Sequence, residues 1–130
     1  MKSHLRIAIA DDDDVGREFL SLVLSKMGHE VVILAENGQQ LVDYCLQSPP
    51  DLVITDVQMP RLDGISAAAE ITRLHDVPIV LLSGNELPRL IEQLDHARIV
   101  LRRFKPISYA KLQALIDEVV ALCDAFAAAT

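Results

Sequence analysis

Four consecutive aspartates, Asp11–Asp14, follow the apolar run Ile7-Ala8-Ile9-Ala10, and a fifth, Asp56, closes the run Leu52–Thr55. Ser83 closes another such run ahead of Gly84, and Lys105 closes a further one ahead of Pro106. Each has a plain role when taken alone. An acidic run caps a helix and complements its dipole. A lone aspartate or serine after a strand makes a turn, and a lysine is usually solvated. As a set they have a chemistry. Several carboxylates meeting at one edge repel each other unless a cation intervenes, and all-oxygen ligation selects a hard ion such as Mg²⁺. A carboxylate nucleophile, a metal, a hydroxyl donor and a cation are the parts that hold a phosphoryl group, whose oxygens carry the transition-state charge. The constellation reads as phosphoryl-accepting.

Such a site requires one fold that brings distant strand ends together. The chain has 130 residues, 51% hydrophobic and 24% charged, which predicts a single globular domain with a real core. Twelve basic against nineteen acidic side chains give a formal charge of −7, which opposes attraction to nucleic-acid phosphates or anionic lipid. Neither direct nucleic-acid binding nor a membrane role is expected. Cys45 and Cys123 fit no disulfide framework or zinc pattern and lie in apolar helical stretches, which points to a reducing, cytoplasmic location. No signal-peptide core or spanning segment is expected. His4, His29, His75 and His96 lack metal-ligand spacing.

Five strand-like runs alternate with helical patterns, the signature of a parallel sheet covered on both faces. The strands are expected over Leu5–Ala10, Val31–Leu34, Leu52–Thr55, Val77–Leu82 and Ile99–Phe104. Val15, Phe19, Val23 and Met27 mark one face of a first helix ending at Gly28, and Val31–Leu34 reads as a strand buried on both sides. Asn37-Gly38 opens a second helix, and a loop over Met59–Gly64 precedes a third. A short helix is expected within Gly84–Ala97. Ser108 caps a last one, with Leu112, Leu115, Ile116, Val119 and Cys123 on its stripe and a frayed tail over Ala125–Thr130. In open α/β sheets ligands gather at the carboxyl ends of the strands, where the acidic run, Asp56, Ser83 and Lys105 all stand.

From Leu5 to about Leu122 the chain resembles the receiver domains of two-component response regulators. The resemblance is carried by Asp11-Asp12-Asp13 after the first strand, by Asp51-Leu-Val-Ile-Thr-Asp56 with Met59-Pro60 and Asp63-Gly64, by Leu-Leu-Ser83-Gly84, and by Phe104-Lys105-Pro106. Intervals of 44 residues from Asp12 to Asp56, 27 to Ser83 and 22 to Lys105 fit as well. It implies a flavodoxin-like, doubly wound (βα)5 sandwich with parallel strand order 2-1-3-4-5. It also implies roles: Asp56 as phosphoacceptor, Asp12, Asp56 and the Gln58 backbone carbonyl as Mg²⁺ ligands with Asp11 helping, and Ser83 and Lys105 on phosphoryl oxygens. The donor would be a sensor histidine kinase or histidine phosphotransfer protein. The chain would catalyse its own phosphorylation and dephosphorylation without being a turnover enzyme, and would switch a surface of strands four and five and the last helix for a downstream partner. Gln58 and Asn85 would influence how fast the acyl phosphate is lost.

Several positions depart from the pattern. Arg102 stands where an aromatic switch residue is common, Tyr109 follows the lysine instead, and His96-Ala97-Arg98 replaces the usual Gly-Ala. Arg98, Arg102 and Arg103 could offer a basic patch. Two other classes use overlapping parts. An aspartate-nucleophile phosphatase would need a cap domain and carboxylates after the fourth strand, where Ser83-Gly84-Asn85 stands. A receiver-like scaffold would leave the site idle.

Overall fold

A computed structural model describes residues 4–84 and 100–129. Five strands form one sheet: β1 (Arg6–Ala10), β2 (Glu30–Ala35), β3 (Leu52–Asp56), β4 (Ile79–Ser83) and β5 (Val100–Phe104). Their order is β2-β1-β3-β4-β5, and every neighbouring pair is parallel. The described helices are α1 (Asp14–Lys26), α2 (Gly38–Gln47), α3 (Gly64–Leu74) and α4 (Tyr109–Ala129). This is the flavodoxin-like arrangement expected. The short helix expected within Gly84–Ala97 falls, apart from Gly84, outside the described residues.

Each helix begins where a polar side chain satisfies an amide that the first turn leaves without a partner. Asp13 accepts from the Gly16 amide at 3.3 Å, Asn37 from Gln40 at 2.9 Å, Asp63 from Ser66 at 2.7 Å and Ser108 from Lys111 at 3.2 Å. Gly28, with φ 91°, ends α1 in the left-handed backbone region that a side chain disfavours.

Alternation along the strands divides the interior in two. Ile7, Ile9, Leu52, Ile54, Val80 and Leu82 pack under α1 and α4 with Leu20, Leu24, Leu112, Leu115 and Val119. Ala8, Ala10, Val53, Ile79 and Leu81 face α2 and α3, where Ala67, Ala68 and Ala69 meet Leu41, Val42 and Cys45. Small residues on both sides of that second layer let helix and sheet approach closely. Cys45 and Cys123 belong to opposite layers and both are free thiols.

Three expectations are corrected. The buried stripe of α1 is Leu20, Val23 and Leu24, whereas Val15 is 75% and Phe19 39% exposed. Four-residue spacing cannot tell which of two adjacent stripes faces the sheet. Next, β2 is an edge strand, so Val31, Val32 and Ile33 are half-buried and Leu34 is exposed. Finally, α4 runs regularly to Ala129 through a stretch expected to fray; the segment is rich in alanine, which has the highest helix propensity. The basic patch also shrinks. Arg102 is exposed, Arg103 pairs with Glu118, and Arg98 lies outside the described residues. No described helix is long and apolar enough to cross a membrane.

Candidate functional site

The ends of three strands, β1, β3 and β5, build the site. Asp11 follows β1, Asp56 is the last residue of β3, and Lys105 follows β5 on the far side of β4. Carboxylate oxygens of Asp11, Asp12 and Asp56 all lie within 4.8 Å of one another. Lys105 Nζ donates to Asp11 Oδ2 at 3.0 Å and sits 3.3 Å from Asp56 Oδ2.

The three carboxylates differ in surroundings. Asp11 is buried, 1% exposed, with Oδ1 accepting from the Asp13 amide at 2.9 Å. A buried carboxylate requires such partners. Asp12 is exposed. Asp56 is intermediate, its side chain 12% exposed. Burial lifts its pKa above the ordinary carboxylate value; Lys105 pulls the other way, while Asp11 and Asp12 add to the rise. Burial disfavours charge on Lys105 too, but the hydrogen bond and charge of Asp11, then the charge of Asp56, outweigh it and hold the ammonium above the usual lysine value. The lysine therefore stays charged, between two acids that would otherwise repel each other.

The frame around Asp56 is tight. Its carbonyl accepts from Thr55 Oγ1 at 2.9 Å, and the Gly64 amide donates to the Val57 carbonyl at 2.8 Å. A Cβ on Gly64 would stand 2.0 Å from the Asp56 carbonyl oxygen, so the Asp63-Gly64 pair opens α3 directly against the strand end. Ser83 is buried at the end of neighbouring β4, and its carbonyl accepts from the Lys105 amide at 2.8 Å. Gln58 is exposed in the loop after β3.

Asp11, Asp12, Asp56 and Lys105 are thus drawn into one constellation, with Ser83 and Gln58 on the adjoining strand end and loop. Asn85 and His96 lie outside the described residues. Two neighbours went unnoticed in sequence. Arg17 Nη1 donates to the Asp11 carbonyl at 2.7 Å, and an added Cβ on Gly16 would stand 2.8 Å from Asp11 Oδ2. The available signal was the helical spacing of three between Asp14 and Arg17. Three clustered carboxylates are a hard-oxygen donor set that suits a divalent ion of the Mg²⁺ type.

A groove beside the cluster is lined by Asp13, Val15, Phe19, Leu20, Pro106 and Ile107, among others. It places exposed apolar side chains of α1 next to the acidic edge.

Comparison with known proteins agrees with this architecture. The family model for the response regulator receiver domain matches residues 7–117. The transcriptional regulatory protein PdtaR of Mycobacterium tuberculosis is 38% identical over 112 residues, covering 86% of this chain and 55% of PdtaR. A protein-glutamate methylesterase/protein-glutamine glutaminase of Archaeoglobus fulgidus is 35% identical over 80 residues, 62% of this chain and 23% of that protein. The chain therefore spans about half the length of the first relative and less of the second. Among solved structures, the chemotaxis protein CheY4 of Vibrio cholerae has a TM-score of 0.76 at 21% identity, covering 88% of this chain and 97% of that one. The N-terminal domain of a response regulator/sensory box/GGDEF protein from Carboxydothermus hydrogenoformans has a TM-score of 0.82 at 22% identity, covering 94% and 98%. At those identities the structures speak for the fold, and the sequence match takes in every residue from Asp11 to Lys105. The chain belongs to the receiver-domain family of response regulators.

Proposed function

We propose that this chain accepts a phosphoryl group on Asp56 from the phosphohistidine of a sensor histidine kinase or histidine phosphotransfer protein, in an Mg²⁺-dependent step. The single observation that carries the reading is the meeting of Asp11, Asp12 and Asp56 within 4.8 Å with Lys105 between Asp11 and Asp56. An Asp56 carboxylate oxygen attacks phosphorus, the P–N bond of the donor breaks, and the imidazole nitrogen leaves with the bonding pair. Asp11, Asp12, Asp56 and the Gln58 carbonyl are the ligands we assign to Mg²⁺, which when bound neutralises charge on the phosphoryl oxygens.

This chain's own groups do the rest. Lys105 pairs with a phosphoryl oxygen, and the Ser83 hydroxyl donates to another. The phosphorylated side chain carries up to about two negative charges, so it competes with Asp11 for Lys105. The Lys105 amide is bonded to the Ser83 carbonyl at 2.8 Å, so movement of either residue is felt at the ends of both β4 and β5. The switched surface comprises β4, β5 and α4, with Arg102 where the family commonly has an aromatic, and it serves an unidentified downstream protein. Val15, Phe19, Pro106 and Ile107 offer the donor protein an apolar seat beside Asp11 and Lys105. We assign the chain to the cytoplasm, acting on itself without turnover of a separate substrate.

Incubation with Mg²⁺ and acetyl phosphate, followed by intact-mass measurement, tests the reading. One added phosphoryl group, lost in Asp56→Asn, is expected. Sustained turnover of phosphate esters would point to a phosphatase, and no adduct to an idle scaffold; either overturns it.

A further inference from the structure

Asp11 is held from two sides. Its carboxylate takes Lys105 Nζ at 3.0 Å and the Asp13 amide at 2.9 Å, while its backbone carbonyl takes Arg17 Nη1 at 2.7 Å. Arg17 is largely buried, its side chain 13% exposed. Its other terminal nitrogen donates to the Asp14 carboxylate and lies 3.7 Å from Glu36 Oε1. One guanidinium therefore joins the residue after β1, the first turn of α1 and the residue after β2. A planar fork of fixed donors spans such a set; a lysine ammonium is a point charge on a flexible stem and does not reproduce it.

We propose that Arg17 is the positioning residue of the metal site, fixing the loop from which the Asp11 and Asp12 carboxylates reach toward Asp56. The inference rests on the Mg²⁺-dependent reading above.

Two observations separate positioning from simple counter-charge. Arg17 already faces two carboxylates, Asp14 and Glu36, so no surplus positive charge from this group reaches the three carboxylates. Its contact with Asp11 is also at the carbonyl, away from the oxygens that would hold a metal. That bond occupies the carbonyl and leaves the carboxylate as the group Asp11 presents to the cluster. Without the guanidinium, Asp14 and Glu36 lose their shared partner in a segment that already holds Asp11, Asp12 and Asp13. With no fork to span the Asp11 carbonyl, Asp14 and Glu36, the loop is no longer tied to α1 and β2, and the ligands lose their preset spacing.

The test is direct Mg²⁺ binding to the unphosphorylated full chain by titration calorimetry, for wild type, Arg17→Gln and Arg17→Lys. Thermal midpoints and acetyl phosphate reaction rates at low and saturating Mg²⁺ accompany it. Both variants are expected to weaken binding by about tenfold or more, the usual consequence of losing a residue that orients a metal ligand. Rates should fall at low Mg²⁺ and return near wild type at saturation. Unchanged affinity with only a lower midpoint reduces Arg17 to a structural strut and overturns the proposal. So does tighter binding in Arg17→Gln with wild-type binding in Arg17→Lys, the pattern of a competing charge. If wild type itself binds no Mg²⁺, the phosphoacceptor reading falls with it; if wild type binds and the variants match it, only the role of Arg17 is lost.

Discussion

Lys105 Nζ lies 3.0 Å from Asp11 Oδ2 although 94 residues separate the two in sequence. The contact ties the end of the last strand to the end of the first across β3 and β4, and the same ammonium reaches Asp56 at 3.3 Å. A fixed positive charge and a divalent ion would then share one set of oxygens.

Lys105→Met is accordingly expected to bind Mg²⁺ several-fold more tightly, because a competing cation is gone. Its phosphorylation should slow by about 10²-fold, the usual effect of deleting one charge-stabilising donor. Calorimetry and a timed acetyl phosphate reaction measure the two effects separately. Weaker Mg²⁺ binding in the variant would show that the lysine organises the acids instead of competing for them.

Asp56 carries a cost when charged, since burial and the neighbouring acids raise its pKa in the fold. A carboxyl whose folded pKa lies above its unfolded one destabilises the fold at pH values above both. Asp56→Asn should therefore raise the thermal midpoint at neutral pH without divalent ions by a few degrees, the shift that about 1 kcal/mol produces in a chain of this size. Adding Mg²⁺ should narrow the gap by stabilising wild type: occupancy at ten times Kd adds about 1.4 kcal/mol. A variant that melts below wild type in EDTA contradicts the argument.

At the opposite end of the sheet, the Leu5 amide donates to His29 Nδ1 at 3.1 Å. That bond requires an unprotonated nitrogen. Burial first, and the facing His4 second, lower the pKa of His29 from 6.5, while Glu30 approaches His4 at 3.9 Å. The unfolded chain thus binds a proton more readily than the fold, so the stabilising contribution is complete above about pH 6.5 and declines as pH falls toward the folded value. Urea midpoints at pH 7.5, 6.5 and 5.5 should drop more steeply in wild type than in His29→Asn, whose side-chain oxygen can still accept from Leu5. Equal slopes would remove His29 from the account.

The thiols should also differ. Burial pushes the Cys45 thiol up to about 12, while Cys123 is raised less and is partly accessible. Only thiolate reacts. At pH 8 the native protein should therefore consume at most one equivalent of a thiol reagent, slowly and at Cys123, and two once unfolded in urea. Rapid labelling of Cys45 in the native chain would contradict its place on the buried face of α2.

Much of this arrangement could be read from residue order. Asn37 and Ser108 announced two helix starts by their type alone, and apolar runs ending in aspartate, serine or lysine marked the edge where the chemistry gathers. The strand order came from the family resemblance, because alternation of strands and helices does not determine which strands are neighbours. Other features depend on contacts that local patterns do not encode. The apolar spacing in α1 was visible, but its rotation toward Leu20 and Leu24 reflects packing under Ile7 and Ile9. Arg103 looked available until Glu118, fifteen residues later, was seen to pair with it. No local pattern singles out Arg17, and only the return of β2 beside β1 brings Glu36 within its reach.

The clearance at Gly64 governs how closely α3 meets the end of β3. A single hydrogen is all that fits between the start of α3 and the backbone carbonyl oxygen of Asp56, so an absent methyl keeps the helix seated against the strand end. Alanine there would drive helix and strand apart, displacing the Asp56 carboxylate from Asp11, Asp12 and Lys105 while each of those side chains stayed intact.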